Sequence, residues 1–62
     1  MSNLQKFRNS KNLSRNEIAS LLNVSESYYT KIELGVRNPS YNFIIKFKER
    51  FNCQVDEIFF NK

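Results

Sequence analysis

The chain has 62 residues, with ten Lys or Arg against six Asp or Glu, one cysteine, one glycine and no histidine, so its net charge is +4. That length predicts one small domain over residues 1–62, with no room for a second unit that senses an effector. One Cys without His excludes the usual Cys/His zinc site and an internal disulfide, the lone Gly35 excludes a glycine-rich phosphate loop, and no apolar run reaches the ~20 residues of a membrane span.

Ser2 opens the first predicted helix as its N-cap. Gln5, three residues on, completes a capping-box pattern, and Leu4 and Phe7 share one side. The helix is expected to run to about Lys11. The stretch Met1–Ser10 is polar and lacks the apolar centre of a signal peptide, so a cytoplasmic protein is expected. Ser14 and Glu17 form a second capping box. Ile18, Ala19, Leu21 and Leu22 follow at helical spacing. Asn23 ends this helix, because Asn tolerates the left-handed conformation that a tight turn needs. Ser25 caps a third helix, which carries Tyr29 and Ile32 on one face and stops at Gly35.

A loop, Val36–Pro39, leads to Ser40, the N-cap of a fourth helix. Phe43, Phe47 and Phe51 recur every four residues there, with Ile44 beside them, a stripe that faces a core. Lys46, Lys48 and Arg50 read as its solvated face. Asn52–Gln54 is a turn, with Cys53 as a small buried hydrophobe. Val55–Phe59 is a short last helix whose Asp56 and Glu57 complement the helix dipole.

The fold class is therefore all-α, five short helices around a minimal core. The link between the second and third helices is too short for them to lie antiparallel, the local signature of a helix-turn-helix. Ile18, Leu22, Val24, Tyr29 and Ile32 fill its apolar positions. Ala19 is the small residue at the helix crossing, and Asn23 is the turn. The motif spans about Arg15 to Leu34.

The stretch Leu13-Ser14-Arg15-Asn16-Glu17-Ile18-Ala19, then Val24-Ser25, then Lys31-Ile32-Glu33-Leu34-Gly35-Val36-Arg37-Asn38-Pro39-Ser40, resembles the Cro/CI-type (XRE) family of phage and bacterial repressors. Val55-Asp56-Glu57-Ile58-Phe59 is similar to that family's short fifth helix. The resemblance runs from Leu4 to Phe59. It implies a compact lambda-repressor-like domain that binds operator DNA as a two-fold dimer, third helix in the major groove. Three positions depart from the pattern. Arg15 stands where the family often has Gln, Asn23 where it usually has Gly, and Tyr29 where it has a smaller aliphatic residue. Tyr29 asks for more room in the core.

The motif places the start of the third helix against base edges. Glu26, Ser27, Tyr28 and Lys31 are the base-contacting candidates. A carboxylate suits a cytosine amino group, an ammonium suits guanine O6 or N7, and a tyrosine suits a thymine methyl or a phosphate. Arg15, Asn16, Arg37, Asn38 and Ser40 are the phosphate-contacting candidates, with Lys11 beside them. In the resembled family an arginine of the first helix often pairs with the glutamate before the glycine, so Arg8 and Glu33 are expected to form a structural ion pair, with a phosphate contact by Arg8 as the alternative.

Ile45, Ile58, Phe59 and Phe60 exceed what so small a core can bury. An apolar surplus at the C-terminal end suggests a protein interface, and because dimers of the resembled family use this end, the resemblance implies a homodimer through Ile45, Ile58, Phe59 or Phe60. The leading expectation is a sequence-specific transcriptional repressor without cofactor, metal, membrane association or small-molecule effector. A protein-interaction module such as an antitoxin or antirepressor is the alternative. An enzyme is not expected, because the six scattered carboxylates form no visible pair.

Overall fold

Four serines start four helices. α1 spans Asn3–Ser10, α2 Arg15–Leu21, α3 Glu26–Glu33 and α4 Tyr41–Phe51. Ser2, Ser14, Ser25 and Ser40 hold extended backbone, and each Oγ accepts the N–H of the third residue on: Gln5, Glu17, Tyr28 and Phe43, at 3.0–3.1 Å. Each such cap satisfies one of the amide donors that a helix leaves unpaired and contributes ~1 kcal/mol. In α2 the reciprocal bond is also made, Ser14 N–H donating to Glu17 Oε1 at 2.8 Å. In α1 only the forward bond is present among the described residues, so the capping box expected at Ser2 and Gln5 is half made. The computed structural model describes residues 2–60, apart from the side chain of Phe60.

The helix ends are as uniform as the starts. After α1, α2 and α3 the chain turns through a left-handed residue: Asn12 (φ 57°), Asn23 (φ 58°) and Gly35 (φ 78°). In each case the next N–H reaches back to a carbonyl in the last turn: Leu13 to Arg8 at 3.3 Å, Val24 to Ala19 at 3.0 Å and Val36 to Lys31 at 2.9 Å. This Schellman closure satisfies carbonyls that the helix leaves unpaired. Asn52 (φ 48°) ends α4 in the same conformation, with its N–H on the Lys48 carbonyl at 2.8 Å. Three asparagines thus do what glycine usually does, because a short polar side chain tolerates this region better than other L residues.

α1 to α4 close on one core of Leu4, Ile18, Ala19, Leu22, Tyr29, Ile32, Phe43 and Phe47. The phenylalanine stripe of α4 lies at its centre. Phe47 packs against Phe7 (ring centroids 5.0 Å apart) and Phe51 (4.9 Å) in tilted geometry. The last element, α5, is a wider π-type turn over Asp56–Phe60, one residue later than the helix expected from Val55. Val55 starts the turn from outside: its carbonyl accepts the N–H groups of Ile58 and Phe59. α5 is tied to α1 by Asn3 Nδ2, which donates to the Glu57 carbonyl at 3.0 Å.

Phe59 meets Phe43 and Phe47 edge to face, with centroids 6.0 and 5.3 Å apart. Ile58 is also partly buried against the core. The C-terminal apolar surplus is therefore used in part within the chain's own core. Among the described residues, the large apolar side chains left most exposed lie elsewhere: Leu34, Val36 and Tyr41. Cys53 is half-buried rather than enclosed, and burial pushes its thiol above the usual cysteine range. No helix among the described residues is long and apolar enough to cross a membrane.

Candidate nucleic-acid interface

α3 is two-sided. Tyr29, Ile32 and Glu33 point into the protein and are buried, whereas Glu26, Ser27 and Lys31 are exposed. Residues four apart lie one above the other on a helix, so Ser27 and Lys31 share one outward row. Tyr28 and Thr30 are half-buried at its margin.

The angle of α3 is fixed by an ionic network around Glu33, whose side chain is 0% exposed. Arg8 of α1 donates from Nε to Oε2 at 2.9 Å and from Nη2 to Oε1 at 3.2 Å, a bidentate pair. Arg15 of α2 donates from Nε to Oε1 at 3.0 Å. The Tyr29 hydroxyl, one turn before Glu33 on α3, donates to Oε2 at 2.7 Å. Arg8 also donates to the Leu13 carbonyl, in the turn before α2 (2.9 Å).

One carboxylate thus accepts four hydrogen bonds from three helices, and no buried polar side-chain atom among the described residues lacks a partner. Burial alone would push the Glu33 carboxyl up, but the bonds from Arg8, Tyr29 and Arg15 outweigh it and hold it below its ordinary value. Burial pushes the Tyr29 phenol well above the usual tyrosine range, and its bond to Glu33 adds to this, so it stays a neutral donor.

Two segments flank the outward row of α3. At the start of α2, Asn16 donates from Nδ2 to Glu26 Oε1 at 3.2 Å, joining the first exposed positions of α2 and α3. After α3, Arg37 and Asn38 are exposed, and Arg37 Cζ lies 5.0 Å from the centroid of the Tyr28 ring. The Tyr28 hydroxyl donates to Ser40 Oγ at 3.3 Å, so Ser40 is engaged by Tyr28 as well as by its cap. Hydrogen bonding with Ser40, whose N–H donates to the Tyr28 oxygen at 3.4 Å, holds the phenol below its ordinary value more than the nearby Arg37 does. Lys11 stands apart, with Nζ 5.5 Å from the Phe7 ring.

A family model described as helix-turn-helix matches residues 4–58. The chain belongs to the Cro/CI-type (XRE) helix-turn-helix family. Its all-α, lambda-repressor-like architecture is that of this family, whose helix-turn-helix marks a DNA-binding regulator. Neither a curated protein nor a solved structure matches the chain significantly.

Within the family pattern, two of the three departures are joined to each other. Arg15 replaces a common Gln and Tyr29 a smaller aliphatic residue, and both donate to Glu33. The sequence alone points Arg15 to a phosphate and marks Tyr29 only as extra bulk in the core. The four-residue spacing of Tyr29 and Glu33 was the available signal. The third departure, Asn23, makes the left-handed turn. Leu34 and Tyr41, 61% and 77% exposed, carry no signal in the sequence that marks them as surface residues. Their exposure depends on how α3 and α4 cross, which helical periodicity does not contain.

Proposed function

We propose that this chain is a sequence-specific repressor that binds double-stranded DNA as a homodimer on a two-fold operator. One observation carries the reading: α3 presents Ser27 and Lys31 in one exposed row beside Glu26, while its opposite side is locked to α1 and α2 through Glu33. A reading helix needs that combination, since base edges reward only donors and acceptors held at fixed positions.

In this reading Lys31 donates to guanine O6 or N7, and Ser27 bonds a neighbouring base edge. Glu26 accepts from a cytosine amino group through Oε2, while Asn16 occupies Oε1. Arg37, Asn38 and the start of α2 grip phosphates on either side. Arg15 keeps Nε on Glu33 and offers its other guanidinium N–H groups to a phosphate. Two copies pair through Ile45, Ile58, the outer surface of Phe59, and Phe60, whose side chain lies outside the described residues. Their reading helices then enter successive major grooves about 34 Å apart, and the bound dimer blocks polymerase.

Selection of bound duplexes from a random pool, followed by footprinting, tests the proposal. A two-fold consensus with half-sites one helical turn apart is expected. With roughly five phosphates met per subunit, log K falls by about 0.9 per contact per decade of salt. Enrichment of no sequence refutes specific binding. A protein-interaction module would instead keep its partner when Lys31→Ala and Arg37→Ala abolish DNA binding.

A further inference from the structure

Tyr28 sits at the start of α3, next to Ser27 and three residues before Lys31, yet it is held from three directions. Its ring meets Phe43 edge to face, with centroids 5.8 Å apart at 72°. Its hydroxyl donates to Ser40 Oγ at 3.3 Å and accepts the Ser40 N–H at 3.4 Å. Arg37 Cζ lies over the ring, 5.0 Å from its centroid. All three partners belong to the segment that leaves α3 and starts α4. A side chain pinned this way is poorly placed to search for a base.

The same contacts matter for Arg37. It lies in an exposed loop, and a long arginine side chain loses much rotamer freedom when it must grip one phosphate. A ring face beneath the guanidinium removes part of that freedom beforehand, through cation–π attraction and contact with the apolar stem. The guanidinium carries five N–H donors, more than one ring contact can occupy, so donors remain for an anion.

We infer that Tyr28 is a positioning residue, whose ring holds the Arg37 guanidinium ready for the DNA backbone in register with Ser27 and Lys31. The inference rests on the DNA-binding reading above. It assigns Tyr28 to Arg37 instead of to a thymine methyl, and it makes the α3–α4 loop part of the grip by design of α3 itself.

A double-mutant cycle on the selected operator, followed by fluorescence anisotropy over a range of salt, tests it. Tyr28→Leu is expected to weaken binding about two- to five-fold, the scale of a cation–π contact. On the Arg37→Ala background the same substitution is expected to have no further effect. Tyr28→Phe keeps the ring and should restore wild-type affinity. Equal losses from Tyr28→Leu on both backgrounds overturn the inference, as does Tyr28→Phe behaving like Tyr28→Leu.

Should Tyr28→Leu fail to fold, NMR of the free wild-type protein decides. Arg37 side-chain protons moved upfield by the Tyr28 ring support the inference, and random-coil shifts overturn it. If the wild-type protein selects no sequence, the function and the inference fall together. If it selects one and the cycle is additive, only the inference falls.

Discussion

Replacing Glu33 by Gln should destabilise this domain by roughly 3–5 kcal/mol, the range found when one partner of a buried ion pair is removed. Gln preserves the shape of Glu, so little packing is lost. It presents one oxygen and one NH2 where four donors converge: Arg8 Nε, Arg8 Nη2, Arg15 Nε and the Tyr29 hydroxyl. Two donors therefore face another donor. Arg8, whose side chain is only 12% exposed, is left as an uncompensated buried charge. Arg15 is 36% exposed, so its share is screened by water and amounts to under ~1 kcal/mol. A 62-residue domain has only roughly 3–9 kcal/mol of total stability, so the variant should sit near its folding threshold.

Urea denaturation followed by helical circular dichroism at pH 7 measures the effect directly. The pH dependence gives a second, independent arm. The folded carboxyl of Glu33 is held below its ordinary value of 4.5, despite its burial, by Arg8, Tyr29 and Arg15. A depressed pKa means that this stabilisation is complete above about pH 4.5 and is lost as pH falls through the folded value. The gap between wild type and Glu33→Gln should therefore narrow as pH falls below about 4.5. A loss under about 1 kcal/mol at pH 7, or a gap that does not narrow anywhere below pH 4.5 while the protein stays folded, would refute the assignment of Glu33 as the buried tie.

At the alkaline end, Tyr29 should resist ionisation while the protein is folded, because burial and the Glu33 bond raise its phenol above the ordinary value of 10.0. A raised pKa stabilises the fold below that value, so stability should fall as pH rises past about 10, with Tyr29 ionising only on unfolding; tyrosinate absorbance recorded alongside circular dichroism checks this. Gly35→Ala should lower stability by about 1–2 kcal/mol in a thermal melt. Its φ is +78° and no heavy atom lies within 4 Å of an added Cβ, so backbone strain alone acts. For DNA, Arg37→Ala should reduce the slope of log K against log salt by about 0.9 and weaken all sequences alike. Lys31→Ala should instead flatten the preference at one base pair of each half-site, which a repeated selection would reveal.

The element plan was legible in the sequence because it rests on local chemistry. Each helix start is a serine whose hydroxyl needs only the amide three residues on. The turn at Asn23 and the stop at Gly35 are likewise decided by one residue's tolerance of positive φ. The core stripe of Phe43 and Phe47 follows from helical periodicity. Asn12, which closes α1 in the left-handed region, shows the limit: nothing but its residue type marked it.

What only the tertiary structure decided is which of several polar or apolar side chains meets which. Arg8, Arg15 and Tyr29 stand 25, 18 and four residues from Glu33, and no periodicity links the first two to it. Phe59 carries the same apolar signal whether it faces Phe43 or a second subunit, and the placement of α5 brought it to Phe43 and Phe47. Tyr28 reads as an exposed helical position, and only the path of the loop after Gly35 puts Arg37 over its ring. Helices form from interactions between near neighbours, whereas an interface is made where separate helices cross. The crossing angles here depend on the whole core and on one buried carboxylate, so they lie beyond any local reading of the chain.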